Sequence, residues 1–154
     1  RTNAPSFGCT FVDLEVDIPM CGVKINEIYN VHDCGVVINP LTAEGQVHGG
    51  IAMGIGAALF EVLMIDPDSG RIYNNNMLDY KVPTIMDLPD LTADFVETRE
   101  PTHPYGSKSL GEPPVLSPAP AIRNAILDAS GVAINELPLN PKTLFKHFKA
   151  AGLI

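Results

Sequence analysis

Hydrophobic and polar side chains alternate along the first part of the chain. Apolar and polar residues alternate over residues 7–17 and again over residues 23–32. This period of two residues is typical of a half-buried β-strand. Residues 19–22, between the two runs, have the composition of a turn. The pattern therefore predicts an antiparallel hairpin. Partial alternation predicts one further strand over residues 91–98, and residues 66–70 are expected to form a turn between two short strands.

A different pattern follows the predicted hairpin. Residues 42–60 are mostly small and apolar, contain five glycines and lack proline, and we predict a helix there. Thr42 is the expected N-cap, Glu44 falls in the first turn, where the helix dipole favours an acid, and Asn39-Pro40 breaks the preceding pattern. Each glycine inside a helix costs roughly 0.5–1 kcal/mol relative to alanine. Glycines at helical spacing therefore predict a buried helix that packs closely against a bulky partner.

The last third of the chain has the features of two helices. Pro118 leads into a helix-forming run that Gly131 ends, and Asn140-Pro141 opens a second run that Gly152 ends. Proline in the first turn and glycine just past the last turn are common boundary residues. The sequence thus predicts one α+β domain over residues 1–154, in which antiparallel hairpin strands pack with a buried glycine-rich helix and two C-terminal helices.

Composition and charge exclude several classes of protein. The 154 residues are 45% hydrophobic, with a mean hydropathy of +0.13, which is enough to bury one core. The formal net charge is −8 without a basic run, so nucleic-acid binding is not expected. No apolar run approaches the ~20 residues of a membrane span. Three cysteines at spacings of 12 and 13 fit neither a disulfide framework nor a metal site, and they favour reduced thiols in a cytoplasmic protein. The chain begins with Arg1 rather than methionine, which suggests a fragment, a processed chain or part of something longer.

Familiar cofactor motifs are weak or missing. Gly54-Ile55-Gly56 resembles part of a dinucleotide-binding fingerprint, but Leu59 replaces the third glycine and no strand directly precedes it. The four histidines have no partner at ligand spacing, so no metal bound by protein side chains is predicted. His48 has the features of a packed or solvated histidine. Gln46, near the start of the glycine-rich helix, is equally compatible with binding an anionic group and with a buried amide satisfied by the backbone.

The loop around Glu112 is the most distinctive candidate for chemistry. Glu112 ends a run of small residues and precedes Pro113-Pro114. A proline disfavours the α region for the residue before it, so an extended backbone is expected at Glu112. The small residues before it favour close approach by a group with accepting atoms. On spacing alone, however, a solvated loop carboxylate is the simpler interpretation.

Five sequence blocks, taken together in their order, resemble one family. The blocks are Asp33-Cys34-Gly35, Ile38-Asn39-Pro40, Gly45-Gln46-Val47-His48-Gly49-Gly50 continuing through Gly54-Ile55-Gly56, Asp79-Tyr80-Lys81-Val82-Pro83, and Gly106-Ser107-Lys108-Ser109-Leu110-Gly111-Glu112-Pro113-Pro114. The chain resembles, from about residue 7 to residue 148, the C-terminal part of the molybdenum-binding (molybdopterin) subunit of the xanthine dehydrogenase and aldehyde oxidase family. Bacterial xanthine dehydrogenase-like members are the most similar.

The resemblance implies a role for each matching residue. Glu112 matches the family's general-base glutamate, and Gln46 matches the glutamine that contacts the pterin. Gly49 and Gly50 would allow the cofactor to approach. The loop after Gly106 would supply backbone N–H groups beside the metal and the pterin, and its implied cofactor-binding residues are Lys108, Ser109, Leu110 and Gly111. The pterin would hold the molybdenum, so no side chain of this chain is a metal ligand.

The resemblance also implies an activity that this chain supports only in part. The family hydroxylates an electron-poor carbon of a purine-like heteroaromatic compound or an aldehyde, with water-derived oxygen and hydride transfer to a molybdenum–sulfido centre. The cofactor would be molybdenum-molybdopterin, in the plain or the cytosine dinucleotide form, shared with the remainder of the subunit. FAD and iron–sulfur clusters are expected on partner subunits or domains. We expect the isolated chain to be inactive. The alternative is a non-catalytic structural or assembly domain derived from the same family.

Overall fold

The computed structural model describes residues 4–154 and contains a three-stranded sheet with four α-helices. The regular elements are β1 (Phe7–Asp17), β2 (Gly22–Asp33), α1 (Pro40–Ile55), β3 (Asp90–Phe95), α2 (Pro113–Leu116), α3 (Pro118–Ser130) and α4 (Pro141–Ala150). A π-helical turn, Gly56–Phe60, continues α1, and short 3-10 turns occupy Ile85–Asp87 and Pro104–Gly106. The predicted α+β class is confirmed.

The sheet has the order β1-β2-β3, with β2 in the centre. β1 and β2 form the predicted antiparallel hairpin, paired from Phe7 with Asp33 to Asp17 with Gly22, and the register shifts once between Asp13 and Leu14. β3 lies parallel to β2. Parallel strands need a crossover connection, and here the connection contains α1. The predicted third strand is confirmed, although it ends at Phe95 rather than at residue 98.

The start of α1 differs from the prediction. Asn39 is the N-cap, because its side chain accepts a hydrogen bond from the Thr42 N–H at 3.3 Å, and Pro40 occupies the first turn. Asn39-Pro40 is therefore the beginning of the helix rather than a break before it, and the assignment of Thr42 as cap was wrong. The helix ends at Ile55, and the π-helical turn carries the chain to residue 60, where the predicted helix ended.

α1 is buried along one face only. Val47, Gly50, Ile51, Gly54 and Ile55 are buried, whereas the opposite face, which includes Gly45, Gln46 and Gly49, is exposed in this chain. The prediction of a buried helix is therefore correct for one face of α1 and wrong for the opposite face in this chain. The buried side packs with the sheet, α3 and α4 in a single apolar core, whose largest members outside α1 are Ile28, Ile122, Ile126, Ile134, Leu139, Leu144 and Phe148.

Both C-terminal helices are confirmed, with the predicted boundary residues. α3 ends at Gly131, which adopts a left-handed backbone with φ +72°, and α4 begins after Asn140, whose side chain accepts from the Thr143 N–H at 3.0 Å. Capping of this kind satisfies N–H groups that the first helical turn leaves free.

Residues 61–89 form an extended connection with little regular structure. The turn predicted at residues 66–70 is present, but the two short strands expected beside it reduce to a single bridge between Ile65 and Ile72. Many apolar side chains of this connection are exposed, among them Leu63, Met64, Met77, Leu78, Ile85 and Met86. This part of the surface contrasts with the packed interior of the sheet and helices.

The cysteines form no disulfide within residues 4–154. Cys9, Cys21 and Cys34 are free thiols, of which Cys9 is exposed and the other two are buried. Within residues 4–154, no helix combines the length and the apolar character that crossing a membrane requires.

Candidate functional site

The segment that follows β2, residues 34–39, lies beside the loop of residues 106–111. The Lys108 N–H donates to the Cys34 carbonyl at 2.6 Å, and the Val36 N–H donates to the Gly106 carbonyl at 2.9 Å. Gly35 has a φ of +70°, and a Cβ there would overlap the Gly106 carbonyl oxygen. Position 35 therefore requires glycine. The first and last of the five sequence blocks meet at this point.

An ion pair joins the same two segments. Lys108 Nζ lies 2.6 Å from Asp33 Oδ2, and the two side chains are only 7% and 18% exposed. The other carboxylate oxygen of Asp33 accepts from the Thr98 hydroxyl at 2.6 Å and from the Gly35 N–H at 3.0 Å. The ring of Phe7 lies 5.3 Å from Lys108 Nζ, within cation–π range. The charge of Lys108 is thus satisfied inside the chain.

This environment lowers the pKa of Asp33. Partial burial alone would raise the pKa, but the hydrogen bonds from Lys108, Thr98 and the Gly35 N–H favour the ionised carboxylate and together lower the pKa to about 2. Asp33 is therefore ionised at neutral pH and forms a stable partner for the lysine.

The loop also contacts the exposed face of α1. Gln46 Nε2 donates to the Gly111 carbonyl at 2.5 Å. A groove of about 450 Å³ lies here, between the segment from residue 34 to residue 39, the first turns of α1 and the loop from residue 107 to residue 111. Four of the residues implied by the family resemblance line this one groove: Gln46, Lys108, Leu110 and Gly111.

The donors at the groove fit a ligand that carries many accepting atoms. Within residues 4–154, the N–H groups of Leu110 and Gly111, which line the groove, and of Ser109, which does not, donate to no main-chain carbonyl. The Gln46 carboxamide lies beside them with its Nε2 on Gly111. A pterin with its phosphate presents nitrogen and oxygen acceptors to such donors. The N–H donors and the Gln46 carboxamide therefore suit the organic part of a cofactor. In the described part of the chain, no group of three or more His, Cys, Asp or Glu side chains could hold a metal ion.

The glycines of α1 fall into two groups. A Cβ at Gly50 would lie 2.5 Å from Pro114 Cβ, and a Cβ at Gly54 would lie 2.7 Å from Pro118 Cβ. At Gly45 and Gly49, by contrast, no atom of the described residues lies within 4 Å of that position. The close packing expected of this helix is thus present at Gly50 and Gly54, where the bulky partners are prolines. At Gly49 the helix surface is open.

Glu112 has a backbone conformation other than the predicted one. Its φ of −105° and ψ of −25° lie in the right-handed helical region, and it is the N-cap residue of α2. The expected extended backbone was therefore wrong. The Val115 N–H donates to the Glu112 carbonyl at 3.1 Å, and Pro114 fills the space beside Gly50. The turn hydrogen bond and the packing of Pro114 against Gly50 together outweigh the local preference of a residue that precedes proline. The Glu112 side chain is exposed in this chain, directly after Gly111 at the groove.

The block from Asp79 to Pro83 lies at the other end of α1. The Tyr80 hydroxyl donates to Glu61 Oε2 at 2.5 Å, and a Cβ at Gly56 would lie 3.1 Å from Pro83 Cδ. These contacts involve the π-helical turn, whereas the groove is formed by the first turns of α1. This block therefore supports the helix and does not contribute to the groove.

Sequence reasoning assigned no role to several residues of the site. Asp33 and Cys34 belong to a block that carries the family resemblance, yet neither has a role implied by it, and Asn39 was interpreted as a break. The signal for Asn39 was the pairing of a capping residue with a first-turn proline. His48 is half-buried, and its Nε2 lies 3.9 Å from Glu44 Oε1 one turn earlier. That nitrogen is buried and has no hydrogen-bond partner within residues 4–154.

Comparisons with known proteins identify the group to which the chain is similar. The family model described as the molybdopterin cofactor-binding domain matches residues 1–89. The xanthine dehydrogenase molybdenum-binding subunit of Escherichia coli O157:H7 is 63% identical over 153 residues, which cover 99% of this chain and 20% of that protein. The nicotine 6-hydroxylase large subunit of Paenarthrobacter nicotinovorans is 37% identical, with coverage of 96% and 19%.

Solved structures agree with the sequence comparisons. A reconstituted CO dehydrogenase from Oligotropha carboxidovorans superimposes with a TM-score of 0.87 at 32% identity, covering 96% of this chain and 19% of that chain. The aldehyde oxidoreductase from Desulfovibrio gigas gives a TM-score of 0.83 at 32% identity, covering 94% and 15%. The chain thus spans about a fifth of the length of the curated relatives that it matches. It belongs to the xanthine dehydrogenase and aldehyde oxidase family of molybdenum oxidoreductases and represents a molybdopterin-binding part of their molybdenum-binding subunit.

Proposed function

We propose that this chain provides one wall of the active site of a molybdenum hydroxylase. In this proposal the groove beside α1 binds part of the pterin cofactor, and Glu112 is the general base. The observation that carries it is the hydrogen bond from Gln46 to the Gly111 carbonyl. This bond joins the helix to the loop directly before Glu112, so a group bound in the groove would lie next to the carboxylate.

The cofactor contacts in this proposal come from two parts of the chain. Ser109, Leu110 and Gly111 offer main-chain N–H groups, and Gln46 offers its side-chain amide. Gly49 leaves the helix surface open to an approaching ring, while Gly50 acts by making room for Pro114. Lys108 contributes to the wall of the groove.

Glu112 is proposed to take a proton from the attacking oxygen nucleophile. A general base must be deprotonated and must come within hydrogen-bond distance of the proton that it removes. Pro113 and Pro114 restrict the backbone that follows Glu112, which limits the directions that the carboxylate can take. When bound, the molybdenum cofactor supplies the redox centre that accepts two electrons from the substrate, while the new oxygen comes from water.

The proposed substrate has an electron-poor carbon. The names of similar proteins include xanthine dehydrogenase, nicotine 6-hydroxylase and aldehyde oxidoreductase. Purine-like or other heteroaromatic rings and aldehydes share a carbon that a nucleophile can attack, so we assign this substrate class to the complete enzyme.

The complete enzyme needs further parts. We propose that the remainder of the molybdenum subunit closes the groove, that iron–sulfur and flavin subunits or domains carry electrons away, and that the complex works in the cytoplasm. The cofactor is proposed to be molybdenum-molybdopterin, in the plain or the cytosine dinucleotide form. Because the groove is open and Glu112 is exposed in this chain, the isolated 154-residue protein is expected to bind no molybdopterin and to show no hydroxylase activity.

Substitution of Glu112 in the assembled molybdenum subunit tests the base assignment. Glu112→Gln keeps the size of the side chain and removes its ability to accept a proton. Turnover is expected to fall by a factor of about 10² or more, with the molybdenum content per subunit near that of the wild type. Glu15→Gln, which changes an exposed carboxylate on β1, is the matched control and should retain both properties.

Two results would contradict the proposal. Turnover of Glu112→Gln within about tenfold of the wild type would exclude the base role and leave the chain as a structural or assembly domain of the subunit. Loss of molybdenum from Glu112→Gln would instead assign Glu112 to cofactor retention.

A further inference from the structure

The charged end of Lys108 is enclosed by residues of this chain. Its ammonium group lies 2.6 Å from Asp33 Oδ2 and 5.3 Å from the centre of the Phe7 ring. A lysine that binds an anionic ligand must bring its ammonium group to that ligand. Here the ammonium group is already paired, and the side chain is only 7% exposed. The ammonium group has further N–H donors beside the one on Asp33, but a cofactor could reach them only if the enclosing residues moved, because so little of the side chain is exposed.

Asp33 is itself held firmly. It is the last residue of β2, the central strand of the sheet, and its second oxygen accepts from the Gly35 N–H and from the Thr98 hydroxyl. Lys108 is therefore attached, through this carboxylate, to the end of the central strand of the sheet. The main-chain bond from the Lys108 N–H to the Cys34 carbonyl strengthens the same attachment.

Three side-chain contacts attach the loop that leads to Glu112 to distant parts of the chain. Lys108 connects its first part to the sheet, the Ser6 hydroxyl donates to the Ser109 carbonyl, and Gln46 connects Gly111 to α1. The position of the Glu112 carboxylate consequently depends on the point at which Lys108 is held.

We propose that Asp33 and Lys108 are positioning residues, and that their ion pair sets the placement of the Glu112 carboxylate without a contact between the Lys108 ammonium group and the cofactor. This inference rests on the proposed function, because it takes Glu112 as the base. It differs from a direct cofactor-binding role for Lys108. It also assigns a positioning role to Asp33, which does not line the groove and for which the family resemblance implied no role.

The two roles of Lys108 predict different results for two single substitutions in the assembled molybdenum subunit. Lys108→Met removes the charge with little change in length, and Asp33→Asn keeps an oxygen that can accept from Gly35 and Thr98. If the pair positions the loop, both variants lower kcat by about tenfold or more, because a misplacement near 1 Å costs that much or more, while KM and molybdenum content stay within about twofold. The double variant should lose little more than the worse single one, because the pair acts as a unit.

Hydrogen–deuterium exchange of the same samples provides a readout that does not depend on activity. Both single variants should speed exchange of the Gly106, Ser107 and Lys108 amides, whose N–H groups donate to main-chain carbonyls, by about tenfold, since opening of the loop becomes easier. Lys24→Met removes a lysine whose Nζ lies 3.9 Å from Glu15 on the exposed hairpin, and this control should leave kcat, molybdenum content and exchange unchanged.

The outcomes separate this inference from the proposed function. Loss of molybdenum in Lys108→Met but not in Asp33→Asn would show that Lys108 binds the cofactor directly and would overturn the inference. Faster exchange with unchanged kcat would overturn it as well. If Glu112→Gln retains turnover, the base assignment itself fails, whatever the exchange results are. Should Lys108→Met not accumulate, Asp33→Asn alone decides: unchanged kcat and exchange in that variant exclude the positioning role.

Discussion

The two sides of α1 are built from similar residues but have different surroundings. On the inner side, the space beside Gly50 and Gly54 is filled by Pro114 and Pro118 of the chain itself. On the outer side, a Cβ added to Gly45 or Gly49 would meet no atom within 4 Å. Glycine thus serves internal packing on one side, where the chain completes its own contacts. On the other side it leaves a helix surface that is open among residues 4–154.

The largest expected effect in this comparison is that of Gly50→Ala. The added methyl group would lie 2.5 Å from Pro114 Cβ and 3.0–3.1 Å from main-chain atoms of Pro114 and Val115, so α2 must move. Overpacking of this kind costs about 1–3 kcal/mol, which outweighs the gain of about 0.5–1 kcal/mol from helix propensity. Urea unfolding of the 154-residue protein should show a net loss of stability. A variant as stable as the wild type would show that the inner side is less tightly packed than its distances indicate.

The Asp33–Lys108 ion pair is a second contact that the chain completes internally, and it predicts a dependence on acid. The pKa of Asp33 is lowered from 3.8 to about 2. A lowered pKa in the folded state contributes stability that is present above the unfolded pKa and is lost as the pH falls from about 4 towards about 2. The full shift corresponds to about 2 kcal/mol, which is the largest contribution expected from this pair, whose side chains are only 7% and 18% exposed.

Comparison with Asp33→Asn isolates this contribution from that of the other carboxylates. The free energy of unfolding, measured by urea titration at pH 5 and at pH 2.5, should decrease more in the wild type than in Asp33→Asn. Equal decreases in the two proteins would mean that the ion pair does not stabilise the folded chain.

The sequence predicted the elements that local rules determine. Alternation identified the hairpin, and the boundary residues Asn140 and Gly131 identified the C-terminal helices. The parallel pairing of β3 with β2 and the contact of Lys108 with Asp33 join segments far apart in the chain, so no local pattern reveals them. Glu112 shows the same limit. Pro113 favours an extended backbone at Glu112, but the packing of Pro114 against Gly50 of α1 accompanies a helical backbone there.

The candidate site was predicted through the family resemblance rather than through spacing. Gln46 and the loop residues meet in one groove, which the order of the sequence blocks alone could not establish. The sequence alone could not show that the block around Tyr80 lies away from the groove. Its contacts with Glu61 and Gly56 are tertiary contacts, which no local pattern reveals. Proximity to the groove therefore distinguishes the blocks proposed to bind the cofactor from the block that contacts the other end of α1.

The smallest expected effect belongs to the outer side of α1, and it has the opposite sign. Gly45→Ala and Gly49→Ala add a methyl group where nothing lies within 4 Å, so each should stabilise the isolated chain by about 0.5–1 kcal/mol through helix propensity. In the assembled subunit, Gly49→Ala should lower the molybdopterin content if the open surface receives the cofactor, because the methyl group would occupy part of that surface. Urea unfolding of the isolated chain and cofactor analysis of the subunit measure the two effects separately. Destabilisation of the isolated chain by Gly49→Ala would remove the difference between the two sides of the helix. A stabilised chain with normal cofactor content would keep that difference and place the cofactor away from Gly49.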